Sequence, residues 1–540
     1  MSLLVVLVLL WAIIHIANYL IHRQKAEALL PISRGSHSLA RRRDNLWDSR
    51  TTQIILKNLH LRVQTSAWNA KHDVLTKTVS ARAGSRLRTA LTYFYNAGCL
   101  MGVLGTMLAL GLLTWNCLQG IVPLLHTTLA PSASMPLLRR DLEVGDKTVV
   151  ASGGVGIKPI IPGWTVPLNH LPVIFLAVFV SQIVHELGHA VSAALDAVPI
   201  LSAGASFTVV IPAAFVSFSS SALEALRPFA RSRIIAAGPF HNLVFWGLLT
   251  LVEFSGTGEV LTRTLYRDVS DIGRVIIGMD GDSALRGHLP VGSLITKLDD
   301  TPLASKDDMW TTYLTSPDNP SSGMGWCVSR ATYTASPQGC CEPHVSSPFS
   351  CFAAVSSAEK GCLDAIAILT NEPAQRCSSD TNCDDASQCV RPHKSAQILR
   401  LTVYDRVVIW SGPPIEVYEQ VEIGRFLPRF RLVPLWVYLL VRLFWSYLKM
   451  ATLSLYLFNL LPLPHLDGSQ FVGALLDIVL QTDTGFDGYD LEALEEASSS
   501  HTGTQRRRRT QWKEMLDKGI QIATTSVFVL SAALTMVNIR

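Results

Sequence analysis

The chain has 540 residues, with 46 Lys and Arg against 42 Asp and Glu, so 16% are charged and the net charge is +4. Soluble proteins carry about 25% charged residues, whereas this chain is 49% apolar with a mean hydropathy of +0.29. These values exclude a disordered chain, a strongly basic nucleic-acid binder and a small disulfide-stapled toxin, and they fit a membrane protein, whose lipid-facing surface needs no charge.

A membrane-spanning helix needs about 20 mostly apolar residues. Residues 1–21 are the first such stretch and read as a retained anchor. No basic segment precedes the apolar core and no small-x-small cleavage pattern follows it. Residues 22–88 form a basic hydrophilic loop with 14 Lys or Arg against four Asp or Glu. The positive-inside rule weakens in loops beyond about 60 residues, so this charge alone does not orient the first span. Residues 89–125 are long enough for one long helix or a tight pair, and a hydrophilic loop follows over 126–170. Residues 171–254 hold two more apolar stretches, at 171–194 and 232–254. Residues 432–468 are apolar again, 469–518 read as a solvated polar linker carrying the Arg506 to Arg509 run, and 519–540 as a C-terminal membrane helix. The expectation is a multi-span α-helical membrane protein with six to eight spans.

Eight of the ten cysteines, Cys327, Cys340, Cys341, Cys351, Cys362, Cys377, Cys383 and Cys389, fall in one Ser- and Pro-rich stretch. An even number in a short segment reads as disulfides, which persist in oxidising compartments. Residues 255–431 are therefore expected to face the secretory lumen or the exterior. Which cysteine pairs with which is open.

The chemistry concentrates inside the third apolar stretch, in His185-Glu186-Leu187-Gly188-His189. Residues four apart share a helix face, so both imidazoles can reach one tetrahedral zinc, and Glu186 stands beside them as a proton acceptor. Ionisable residues within a membrane helix are costly and mark function; a structural His/Glu network is the competing reading. A catalytic zinc takes three protein ligands, and the candidate for the third is Asp467 in Asn459-Leu-Leu-Pro-Leu-Pro-His465-Leu-Asp467-Gly468. There Pro462 and Pro464 break the helix and Gly468 permits an unusual turn. His465 is a rival ligand. Asn242, in Gly238-Pro239-Phe240-His241-Asn242, can hydrogen-bond substrate backbone or a developing oxyanion, or bind helices together.

These three motifs, in this order and on separate apolar segments, resemble the site-2 proteases, intramembrane zinc metalloproteases. The resemblance implies that His185, His189 and Asp467 bind one zinc ion and that Glu186 is the catalytic base. Phe207 to Ser217 resembles the family's membrane-dipping β-hairpin, whose free edge could take an unwound substrate. Residues 273–312 and 401–418 resemble the strands of a PDZ domain, with the Cys-rich block at about 315–395 inserted between them; the luminal part is thus expected to be β-rich, PDZ-like and disulfide-bearing. The implied substrates are single-span membrane proteins already cut on their luminal side. Sterol regulatory element-binding transcription factors in the Golgi or endoplasmic reticulum lead among them, and the implied activity is regulated intramembrane proteolysis. The lipid bilayer is the implied partner and nucleic acid is not. The alternatives are an inactive membrane scaffold or an ion transporter that keeps the metal site.

Overall fold

A computed structural model of the chain describes residues 3–26, 45–48, 51–80, 86–129, 160–480 and 500–538, apart from breaks at 161, 164, 282, 305–307, 317–323, 338, 342–347, 358, 371–374, 394–395, 405 and 431. Most of the loop read at 126–170 and part of the linker read at 469–518 lie outside these residues. The chain divides into two compact units, residues 1–254 with 442–540, and residues 255–441.

The first unit opens with helix α1 (Leu3–Ala26), strands β1 (Asn45–Asp48), β2 (Thr52–Lys57) and β3 (His60–Thr65), and helices α2 (Asn69–Ser80) and α3 (Arg86–Leu129). Helix α4 (Leu171–Leu195), strands β4 (Ile200–Thr208) and β5 (Ile211–Phe218) and helix α5 (Pro228–Phe254) follow. Helix α6 (Leu435–Asn459), whose first turns belong to the second unit, leads back into the first, which ends with α7 (Asp467–Leu480) and α8 (Ser500–Asn538). Residues 89–125 form a single helix within α3, not a pair. Among the described residues four helical segments are long and apolar enough to cross a membrane, Arg86–Ile121, Leu168–Leu195, Pro228–Phe254 and Arg508–Val537. Helix α6, which carries Arg442 and Lys449, is not among them, and the apolar stretch Leu7–Ala17 is shorter. Over the stretch read as a polar linker, α7 occupies the beginning and α8 extends back to Ser500.

Small residues let the helices approach closely, as expected where lipid removes the hydrophobic drive for association. A side chain at Gly98 would collide with Phe240, one at Gly102 with Phe471, and one at Gly105 with Tyr456 and Leu460. Polar pairs supplement this packing. Ser181 on α4 meets Thr452 on α6 at 2.9 Å, and Asn116 on α3 donates to Ser531 on α8 at 2.8 Å. The buried Arg233 pairs with Asp196 just past the end of α4.

The basic loop contributes three strands to a five-stranded sheet of order β1-β2-β3-β4-β5. Strand β3 runs antiparallel to β4, from His60 opposite Thr208 to Thr65 opposite Ala203. The β2–β3 hairpin turns through Asn58, whose φ of 48° suits an asparagine. The β4–β5 turn places the β-branched Val209 at φ 58°, a costly conformation for such a residue. Helix α1 holds both turns: Trp11 Nε1 donates to Val209 O at 2.8 Å, and His15 Nε2 lies 2.8 Å from Asn58 O.

The second unit is β-rich. Strands β7 (Arg274–Met279), β8 (Leu294–Leu298), β9 (Thr301–Pro302), β15 (Ile398–Val403), β16 (Arg406–Ser411) and β17 (Val421–Gly424) form a six-stranded sheet around Ile295, Leu298, Leu399 and Leu401. Between β9 and β15 the chain builds a second sheet from β10 (Gly325–Ser329), β11 (Phe349–Ala354), β12 (Lys360–Asp364), β13 (Arg376–Cys377) and β14 (Ser387–Pro392). All eight cysteines there are paired: Cys327 with Cys383, Cys340 with Cys351, Cys341 with Cys362, and Cys377 with Cys389. Asp300 joins the sheets by pairing with Arg376 of β13 and, at 2.5 Å, with Arg400 of β15. The Arg376 guanidinium also lies 3.7 Å over the Trp326 ring. A short ribbon of β6 (Tyr266–Asp268) and β18 (Phe426–Pro428) completes the unit.

Candidate metal centre

Helix α4 starts with Pro172 in its first turn, where the missing N–H costs nothing, and carries His185 and His189 one turn apart on a buried face. Their Nε2 atoms are 3.1 Å apart. Asp467 reaches the same point from the first residue of α7, its Oδ2 lying 2.8 Å from His185 Nε2 and 3.4 Å from His189 Nε2. The chain between α6 and α7 turns sharply, with His465 at φ 70° and Gly468 packed so closely on Leu460 and Leu461 that a Cβ would strike their carbonyl oxygens. His465 itself is solvent-exposed and outside this cluster.

Two imidazole nitrogens and one carboxylate oxygen, mutually within 4.8 Å, can hold one metal ion. Their spacing suits zinc, whose bonds to such atoms are about 2.0–2.2 Å long. The outer ring nitrogens are also placed for ligation. His189 Nδ1 donates to the backbone oxygen of Ile234 at 2.9 Å, which leaves its Nε2 lone pair facing inward. His185 Nδ1 meets the side-chain amides of Asn242 at 3.2 Å and Asn459 at 3.4 Å. Asn242 is fully buried and its Oδ1 has no partner. A half-turn of that amide brings Oδ1 onto the His185 Nδ1 proton, as ligation through Nε2 requires, and moves Nδ2 to the position that Oδ1 holds without a partner. The sequence offered Asn242 a role toward substrate or oxyanion, or in holding helices together; its neighbour here is a candidate ligand. Asn459, quoted within the motif but given no role, faces the same nitrogen.

Helix α5 can approach the histidines only because residue 238 is glycine. A Cβ there would collide with Nε2 of both His185 and His189, and one at Gly188 with the Ala237 carbonyl. His241 points away from the cluster, to Tyr95, whose hydroxyl is 3.0 Å from its Nε2.

Glu186 faces the sheet. Its Oε2 accepts the Val216 N–H of β5 at 2.8 Å, and Gln182, one turn earlier, accepts the Ala214 N–H at 3.0 Å. Strand β5 pairs with β4 on its other side, so these side chains occupy that strand's remaining edge. Sequence reasoning missed Gln182. The signal lay in its position four residues before Glu186, on one helix face.

Two histidines on a membrane-length helix, closed by a distant carboxylate and flanked by a glutamate, make a candidate metallopeptidase centre set among apolar helices. The profile described as "Peptidase family M50" matches residues 173–485, and the chain belongs to this family. It is also similar to an Arabidopsis thaliana protein named "Membrane-bound transcription factor site-2 protease homolog", with 28% identity over 138 residues, 26% of either chain. The match thus spans about a quarter of that relative's length.

Proposed function

We propose that the chain is an intramembrane zinc metalloendopeptidase that cuts the transmembrane segments of single-span proteins. The arrangement of His185, His189 and Asp467 beside Glu186 carries this reading. His185 Nε2, His189 Nε2 and Asp467 Oδ2 would hold the ion, which when bound supplies Lewis-acid chemistry and acidifies water. Glu186 takes the proton of the attacking water on its carboxylate and passes it to the leaving amide nitrogen. The substrate helix must first unwind, because helical carbonyls are already hydrogen-bonded. An extended segment then lies along the outer edge of β5, taking over the Ala214 and Val216 N–H groups that Gln182 and Glu186 hold in its absence.

The preferred substrates are transcription factor precursors of the sterol regulatory element-binding type, already cut on the luminal side, in the Golgi or endoplasmic reticulum. The unit 255–441 is then luminal, in keeping with its disulfides, and its six-stranded sheet acts as a PDZ-like filter that excludes uncut proteins. Shorter apolar helices complete a core of six to eight spans.

The test is cleavage of a single-span peptide, trimmed on its luminal side, by purified full-length protein with and without Glu186→Gln. Wild type should cut and the variant should lose activity by roughly 10²–10⁴-fold while keeping zinc. Cutting by Glu186→Gln at the wild-type rate would sink the proposal.

A further inference from the structure

In the second unit an open cavity of about 450 Å³ is lined by Arg263, Arg267, Asp268, Ser270, Asp271 and Arg429. Its volume is in the range that small ligands occupy, roughly 300–1,000 Å³. Three lining guanidinium groups meet two lining carboxylates, and the neighbouring Glu259 pairs with both Arg263 and Arg425, so four guanidinium groups against three carboxylates leave one positive charge for a monoanionic group. The arginines are only partly engaged. Arg429 donates through Nε to Tyr266 O at 3.2 Å, and Arg263 pairs with Glu259 at 2.8 Å. The Arg267 side chain has no hydrogen-bond or ion-pair partner among the described residues. Large exposed apolar residues lie within three positions of a cavity arginine: Val260 and Leu261 before Arg263, and Phe430 and Leu432 after Arg429, with Leu432 94% exposed. The helix Thr257–Leu265, which bears Arg263, follows a candidate span that ends at Phe254, and the chain from Leu435 onward is again apolar helix. Arginines that can fork onto phosphate oxygens, close in sequence to exposed apolar residues and on segments that follow one apolar helix and precede another in the chain, fit the surface of a bilayer.

We propose that the cavity lined by Arg263, Arg267 and Arg429 binds the phosphate of an anionic membrane lipid, whose acyl chains lie against Val260, Leu261 and Leu432. A lipid is favoured over a soluble phosphate because a soluble ion would leave those apolar side chains uncovered. The site shares no residue with the metal centre and is independent of the peptidase proposal.

The experiment is native mass spectrometry of full-length protein, delipidated in detergent and offered dioleoyl phosphatidic acid or dioleoyl phosphatidylcholine. Wild type should retain phosphatidic acid in preference to phosphatidylcholine. Arg267→Glu should weaken that retention roughly tenfold, Arg267→Lys should restore part of it, and inorganic phosphate should not compete. Arg263→Glu, at another exposed position, serves as the second variant should Arg267→Glu fail to fold. Equal retention of the two lipids, unchanged retention in both glutamate variants, competition by inorganic phosphate, or displacement of the lipid by a soluble acidic peptide would each overturn the proposal.

Discussion

His185 Nε2 and Asp467 Oδ2 lie 2.8 Å apart although 282 positions separate them in the chain. Helices α4, α5 and α7 must all be packed before that distance exists, so the candidate metal-binding atoms assemble only in the folded membrane core. Metal affinity then reports on folding as well as on ligand identity.

Replacing Asp467 with alanine should remove the third donor and with it stoichiometric zinc. Metal analysis of the purified protein, beside a His465→Ala control, checks this. Full zinc in Asp467→Ala and its loss in His465→Ala would reverse the assignment.

Asn242→Ala should weaken zinc binding by roughly 10–100-fold, the usual cost of removing a group that orients a ligating histidine. Competition with a chromogenic chelator measures it. If Asn242 acts on the substrate instead, zinc affinity will hold while turnover falls.

Gly238→Ala would drive a methyl group into the two imidazoles. Overpacking of this kind costs about 1–3 kcal/mol. Both zinc content and thermal stability should drop, and a variant unchanged in both would show that α5 does not need this closeness.

Cys377 and Cys389 are fully buried, join β13 to β14, and close a loop of 12 residues. Changing both to serine should destabilise the second unit by about 2–4 kcal/mol. Hydrogen exchange in residues 325–392 of the full chain will read that loss.

Burial pushes the Asp299 carboxyl above its ordinary range, against the pull of the Tyr313 hydroxyl 2.5 Å away and of Arg400. The folded state thus keeps a proton that the unfolded chain releases between the ordinary carboxylate pKa, about 4, and the raised one. Across that window Asp299's contribution to stability falls as pH rises, and above it the contribution is constant. Asp299→Asn should abolish this slope, seen as the difference from wild type in the hydrogen exchange of β8 and β15 with pH.

The metal centre was readable because its signals are local. His185, Glu186 and His189 need only helical spacing, and Pro462, Pro464 and Gly468 announce the turn that presents Asp467. The β2 and β3 strands were missed because β4, the strand on which β3 pairs, lies about 140 residues downstream. Arg62 also hides the pattern; its charge reads as loop, yet its guanidinium sits 4.0 Å over the Phe215 ring. Residues 500–518 were read as linker from polarity alone, but Arg, Lys and Glu are good helix formers in water. Disulfide partners depend on strand register, as Cys377 and Cys389 illustrate, each on a strand that flanks β10.

Helix α1 grips the β2–β3 and β4–β5 turns through His15 and Trp11, and at the outer edge of the same sheet Val216 holds Glu186. The sheet is therefore suspended at its tips and latched along its rim. Force applied to the first helix, which supplies none of the metal ligands, has a direct mechanical route to the glutamate beside them. Detaching the N-terminal residues would leave the ion's cage whole but cut one mooring of the plate that sets where Glu186 points.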